Sequence, residues 1–187
     1  RHAEAYLKNH AARPSGARPE SGVGKEPFLV ENVGPASTRE KGGRVGIERL
    51  GVRSFRNLES ASLRPAPRLN LISGDNGHGK TSLIEALYVL ATTRSFRATR
   101  LLEVIQEGQS LAEIAADVTV GGLPRQLRAG ITTRHKSFLL DGKRPERRLD
   151  YALSTPMIVF HPGDLNLVSG PSSLRRALFD RILVHMD

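Results

Sequence analysis

A chain of 187 residues with 39% apolar side chains is long enough for one domain with its own core, and it contains no run of about 18 apolar residues that could span a membrane. It has no cysteine, which excludes disulfides and thiolate metal sites and suits a cytoplasmic home. Lys and Arg outnumber Asp and Glu by 28 to 19, and the resulting charge of +9 favours an anionic partner, nucleic acid before a membrane surface; a basic protein that is merely soluble would carry the same charge.

Residues 1–45 are rich in glycine and proline, hold few large apolar side chains and show no sustained periodicity. Such a stretch cannot bury enough surface to offset its ordering entropy, so it is expected to lack order. It has no apolar core of a signal peptide, and its five Glu residues argue against a transit peptide, which leaves a flexible tail or an upstream-extended reading frame. Gly22-Val23-Gly24-Lys25 echoes a phosphate loop but follows no strand. The chain opens on Arg1 and closes at Asp187 within a helix-like pattern, as a fragment cut at both ends would.

Order is expected from Ile47 onward. Ile47, Leu50, Val52 and Phe55 suggest a first strand, Glu59–Leu63 a second, and Arg56-Asn57 the turn between them. Pro65 and Pro67 then interrupt the chain before a short strand with apolar Leu69, Leu71 and Ile72. Gly74-Asp75-Asn76-Gly77-His78-Gly79-Lys80-Thr81, followed by Ser82, fits the pattern G-x-x-x-x-G-K-[ST]. Beyond it Leu83, Ile84, Leu87, Tyr88 and Ala91 mark one face of a helix.

Strand, glycine loop and helix in that order turn backbone N–H groups toward a phosphate chain. The glycines permit φ > 0 and a close approach, and the helix N-terminus favours an anion. Asn76 and the loop backbone would surround the phosphates, Lys80 would meet the β/γ charge, and the Thr81 hydroxyl would ligate Mg²⁺. The motif therefore leads to a nucleotide with Mg²⁺, and the resemblance drawn below makes that nucleotide ATP.

After the helix, Thr92-Thr93-Arg94-Ser95-Phe96-Arg97 is polar and basic, and Arg100–Gln106 suits a short helix stopped by Gly108. Three strand-like runs follow, Ala112–Val120, Arg125–Thr132 and Lys136–Leu140, joined by turn signals at Gly121-Gly122 and Asp141-Gly142. Their polar positions are basic: Arg125, Arg128, Arg134, His135, Lys136, Lys143, Arg144, Arg147 and Arg148. That describes either a solvated face or one that tracks DNA phosphates. Pro156–Phe160 reads as a buried strand, and Leu174, Leu178, Ile182 and Met186 as one face of a final helix capped by Ser172 or Ser173.

Taken in order, these blocks resemble the RecF family of bacterial recombination and gap-repair ATPases over about residues 47–187. Phe55-Arg56-Asn57-Leu58 resembles F-R-N-Y, Leu69–Thr81 resembles L-N-x-I-x-G-x-N-G-x-G-K-T, and Ser82–Tyr88 the L-L-E-A-I-Y that follows. Ser95-Phe96-Arg97, Pro162–Val168 and Gly170–Asp180 match further blocks. Gly163 departs from the family's Glu, His78 from its frequent Gln, and Gly170-Pro171-Ser172 from its G-S-P.

The resemblance implies an α/β fold, a P-loop ATP-binding-cassette head, here its first lobe with a mixed sheet and an antiparallel section. On it, 1–45 is an extension, 46–160 is lobe I, and 161–187 begins a helical lobe II. It also implies an ATP-dependent homodimer that binds DNA near single-strand/double-strand junctions, works with RecO and RecR to load RecA, and hydrolyses ATP weakly. Neither an apolar strand ending in Asp-Glu nor a signature motif is visible, so this stretch alone is expected to bind nucleotide weakly and turn it over scarcely. Arg56, Arg94 and Arg97 stay open between nucleotide, DNA and solvent; Asp164 between a γ-phosphate role and surface capping; Arg175 and Arg176 between an interdomain face and DNA. A small-molecule kinase or GTPase, or a non-catalytic DNA-binding module, are the alternative classes; the first two would need an acceptor lid or N-K-x-D, and neither is found.

Overall fold

A computed structural model describes residues 29–32, 46–146, 151, 157–160, 170–173 and 175–176. The chain divides into two compact units, residues 1–155 and 156–187. In chain order the first unit contains β1 (Leu29–Asn32), β2 (Gly46–Phe55), β3 (Leu58–Leu63), β4 (Asn70–Ser73), α1 (Lys80–Thr92), a 3₁₀ turn (Leu101–Val104), β5 (Leu111–Val120), β6 (Leu123–Thr132) and β7 (Lys136–Leu140).

Five strands form one antiparallel sheet in the order β3-β2-β5-β6-β7. The turn residues explain the hairpins. Gly121 and Gly122 adopt φ of 58° and 83°, and Asp141 and Gly142 adopt 50° and 76°, the left-handed pairs that suit two-residue connections between twisted strands. Burial alternates along β5, where Ala112, Ile114, Ala116 and Val118 are buried. Ile131, Ala129 and Leu127 of β6 stand directly opposite the first three of these, and Val52 and Leu50 of β2 flank Ile114 and Ala116 on the other side. α1 covers this apolar face with Leu83, Ala86, Val89 and Leu90. Phe55 is fully buried at the end of β2. Phe55→Ala is expected to cost about 3–5 kcal/mol in denaturant unfolding, the cost of emptying a buried aromatic site.

β4, the strand that feeds the glycine loop, lies in a separate two-stranded sheet with β1. Its partner β1 falls inside the stretch 1–45 that composition reads as unordered. Leu29–Asn32 finds ladder partners in Ser73–Asn70, a long-range pairing that no local pattern announces. Leu69 and Leu71 are more than half exposed.

Three other expectations change. The helix face expected from Leu83, Ile84, Leu87, Tyr88 and Ala91 is buried only in part: Leu83 and Ala91 turn inward and Leu87 packs against the core, but Ile84 is exposed, and Ser82, Glu85, Ala86, Val89 and Leu90 complete the buried side. α1 is apolar on most sides, so periodicity leaves its rotation open, and polar partners on the β2–β3 turn set it (below). Tyr88 instead meets Phe96 edge-on, with ring centroids 5.4 Å apart.

Pro156 lies outside the described residues, and the rest of the buried strand expected over Pro156–Phe160 is not formed. Met157–Phe160 carries no strand, and Ile158 and Phe160 are 98% and 77% exposed. An apolar run becomes a strand only where a neighbour offers a ladder, and no described residue pairs with this one.

The basic residues of the antiparallel section do not share a face. Cross-strand partners point the same way. Arg125 opposite Val118 and Lys136 opposite Ile131 therefore lie on the core side, at the ends of the strands, while Arg128, opposite Ala115 and Leu139, lies on the reverse side with Glu113 and Asp117. Arg125 is also engaged by Asp141 at 2.6 Å. Side chains alternate at period two, and an inventory of basic positions ignores that.

In the second unit, Arg175 donates to the Gly170 carbonyl at 3.0 Å, and Arg176 approaches the Ser172 hydroxyl at 3.5 Å. Asp164, Arg147, Arg148 and the helix positions Leu174, Leu178, Ile182 and Met186 lie outside the described residues.

Candidate functional site

Between β4 and α1 the loop turns through Gly74, Gly77 and Gly79, whose φ values are 145°, 86° and 89°. Gly79 is needed twice over. Its φ belongs to the left-handed region, and a Cβ there would stand 2.3 Å from Leu58 Cδ2. The loop is thus pressed against the start of β3, and the Leu83 N–H donates to the Gly79 carbonyl at 2.9 Å to open α1.

Asn57, from the two-residue turn between β2 and β3, fastens this arrangement. Its side-chain amide donates to the Gly77 carbonyl, and its oxygen accepts from the Ser82 hydroxyl at 2.7 Å. Ser82 is buried and faces Asn57, so it braces the loop from within the fold. Lys80 folds over the loop: its ammonium donates to the Gly74 carbonyl at 2.7 Å and to the Asp75 carbonyl at 2.8 Å. An ammonium has three donors, so one remains for a ligand.

A cleft of about 430 Å³ opens here, lined by Arg56, Asn57, Asn76, Gly77, Gly79, Lys80, Thr81, Ser82 and Arg97. Of the loop residues named from sequence, Asn76, Gly77, Gly79, Lys80, Thr81 and Ser82 reach the cleft, whereas Gly74 and Asp75 act through their carbonyls on Lys80, and His78 is exposed and does not line it. Three cations and no acid line the cleft, which fits a polyanion. The exposed Thr81 hydroxyl is a hard oxygen donor of the kind Mg²⁺ takes alongside phosphate oxygens and water. Among the described residues no cluster of three or more His, Asp or Glu could hold a metal by itself.

Behind the cleft wall sits Glu85, fully buried on α1. Arg56 binds it through a fork, Nε to Oε2 at 3.1 Å and Nη2 to Oε1 at 2.8 Å. The Ser95 hydroxyl donates to Oε1 at 2.6 Å, and Arg97 Nη1 to Oε2 at 3.3 Å. Arg94, which the sequence puts beside Arg97 as an equal, does not line the cleft. Sequence reading missed Glu85 and the bracing role of Asn57. The available signal was one carboxylate on the inward side of an apolar helix, which has to find cations somewhere.

Loop, sheet and covering helix together define a P-loop head of the kind shared by the RecF, RecN and SMC proteins. Residues 46–129 match the model of the RecF/RecN/SMC N terminal domain. Within that class the chain is RecF-like. It is 39% identical over 133 residues to the DNA replication and repair protein RecF of Anaeromyxobacter sp. (strain Fw109-5), covering 71% of this chain and 36% of that relative. To the RecF of Symbiobacterium thermophilum it is 37% identical over 136 residues, 72% of this chain and 36% of the relative. The chain thus spans little more than a third of the length of these curated relatives.

A solved structure of the recombination mediator protein RecF with ATP superposes with a TM-score of 0.73 at 22% identity, over 81% of this chain and 41% of that one. A structure from work on the ATP-driven dimerization and DNA-stimulated activation of SMC ATPases gives 0.58 at 22% identity, over 73% of this chain and 99% of that one. At such identities both establish the fold. No helix among the described residues is long and apolar enough to cross a membrane.

Proposed function

We propose that this chain is the nucleotide-binding part of an ATP- and DNA-binding protein of recombinational repair and replication, acting as RecF does. One observation carries the reading: Lys80, Arg56 and Arg97 converge on a glycine-walled cleft that no acidic side chain lines. In it the backbone of Asn76–Gly79 and the Lys80 ammonium take the β- and γ-phosphates, Thr81 contributes one oxygen to Mg²⁺, and Asn57 and Ser82 hold the loop in shape. Bound Mg²⁺ would neutralise phosphate charge; the residues of the cleft bind and orient. Resemblance to RecF extends the proposal to an ATP-dependent homodimer on gapped or junction DNA, partnered by RecO, RecR and RecA in the cytoplasm. Titration of the 187-residue chain with ATP, ADP and AMP in Mg²⁺ tests the core of it. Affinity should fall sharply as phosphates are removed, and equal affinity for ATP and AMP would defeat it.

The DNA side of the proposal needs a cationic surface, and Arg125, Arg128 and Lys136 do not form one together. Lys136 and Arg144 line a second cleft of about 280 Å³ together with Phe138, Glu146 and Tyr151; both cations are exposed and outnumber the one carboxylate of the lining. Replacing both by Gln is expected to reduce the slope of log affinity against log salt for duplex DNA by about two, close to one for each phosphate that is no longer neutralised. Arg128→Gln, on the reverse side, should leave the slope as it was. A slope indifferent to Lys136 and Arg144 would remove this surface from consideration.

A further inference from the structure

Glu85 holds two arginines, and it holds them differently. Arg56 makes the two-pronged pair, donates a third bond to the Glu103 carbonyl at 2.8 Å, and is fixed through its own backbone N–H to the Val104 carbonyl at 2.7 Å. Arg97 reaches the carboxylate through one bond at 3.3 Å, and its side chain is 45% exposed against 23% for Arg56. The backbone of Arg97 does not depend on that bond. The Ser95 hydroxyl accepts from the Arg97 and Ala98 N–H groups at 2.9 and 2.8 Å while it donates to Glu85, so the turn stays in place whatever the guanidinium does. One carboxylate needs one counter-ion, and the forked Arg56 already supplies it. Arg97 is the surplus charge, at the rim of a cleft suited to phosphate.

We propose that Glu85 is a positioning residue for the phosphate cleft: it keeps Arg56 as a permanent counter-ion, restrains Arg97, and gives up the Arg97 guanidinium to a polyphosphate entering the cleft. The inference rests on the nucleotide reading above and deepens it. The physical content is competition. A buried carboxylate and an incoming phosphate compete for the same cation, so Glu85 lowers resting affinity for the anion. A Glu85 that served folding alone would have no such effect.

The test is ATP titration, in Mg²⁺, of the whole 187-residue chain and of Glu85→Gln, Arg97→Ala and the double variant. Glu85→Gln keeps the side chain's shape and an acceptor for Arg56. It should lower the unfolding midpoint and yet bind ATP about tenfold more tightly, and the gain should vanish in the Arg97→Ala background. No gain, or a gain that persists without Arg97, overturns the proposal. If Glu85→Gln does not fold, the unmutated chain still decides: on saturation with ATP the Glu85 carboxyl ¹³C signal and the Arg97 guanidinium ¹⁵N signals should move while those of Arg56 stay. A stationary Glu85 signal overturns it. Should Lys80→Ala abolish binding while Glu85→Gln leaves it unchanged, the nucleotide reading stands and this inference alone falls. Absence of ATP binding in the unmutated chain defeats both.

Discussion

Lys80→Ala is expected to weaken ATP binding about a hundredfold or more without unfolding the protein. The Lys80 side chain is only partly buried, and its two hydrogen bonds go to the carbonyls of Gly74 and Asp75. Those carbonyls lie on an exposed loop where water can replace the ammonium, so stability should change by less than about 1 kcal/mol. Binding should suffer far more. A charge-assisted bond to phosphate is worth about 1.5–3 kcal/mol, and the loop loses the group that draws its carbonyls together. Calorimetric titration with ATP, alongside a urea melt, checks both halves. Unchanged affinity would refute the assignment of the cleft, whereas a collapsed melt would show that the ammonium is structural.

Gly79→Ala should harm the fold as well as the site. The added Cβ would meet Leu58 Cδ2 at 2.3 Å, and Leu58 is itself buried, so it cannot swing away into solvent. The backbone φ of 89° is costly for any residue with a side chain. Left-handed strain contributes about 1–2 kcal/mol and overpacking about 1–3 kcal/mol, which together place the loss at about 2–5 kcal/mol. Relief by moving the loop outward would break the Asn57–Gly77 and Asn57–Ser82 bonds, so whatever stability is recovered is lost from the cleft. Urea unfolding measures the first effect and ATP titration the second. A variant as stable as the parent would mean that the loop is not pressed against β3.

Much of the fold was legible because the signals are local. β2, β3, β5, β6 and β7 are each marked by a short run of residues, with the period-two positions Ala112, Ile114, Ala116 and Val118 of β5 the clearest, and the Gly121-Gly122 and Asp141-Gly142 turns read directly as hairpins. The loop was legible for the same reason: a strand, three glycines, Lys80 and a helix lie within about twenty consecutive residues. Less legible was whatever depends on a partner far along the chain. Leu29–Asn32 is a strand because Asn70–Ser73 lies beside it, and Met157–Phe160 is not one because nothing described does.

By itself, then, the sequence determined the local frame of the cleft: a glycine loop between a strand and a helix, with Lys80 and Thr81 at the start of that helix. Tertiary structure decided what surrounds it. Glu85 and Arg56 are 29 residues apart, Asn57 and Ser82 are 25 apart, and only packing α1 against the sheet brings them together and sets which side of the helix faces in. The same holds for the separation of Arg128 from Arg125 and Lys136, which follows from strand register. A local pattern specifies backbone shape, whereas the pairing of charges across a sheet is fixed only when non-local contacts close.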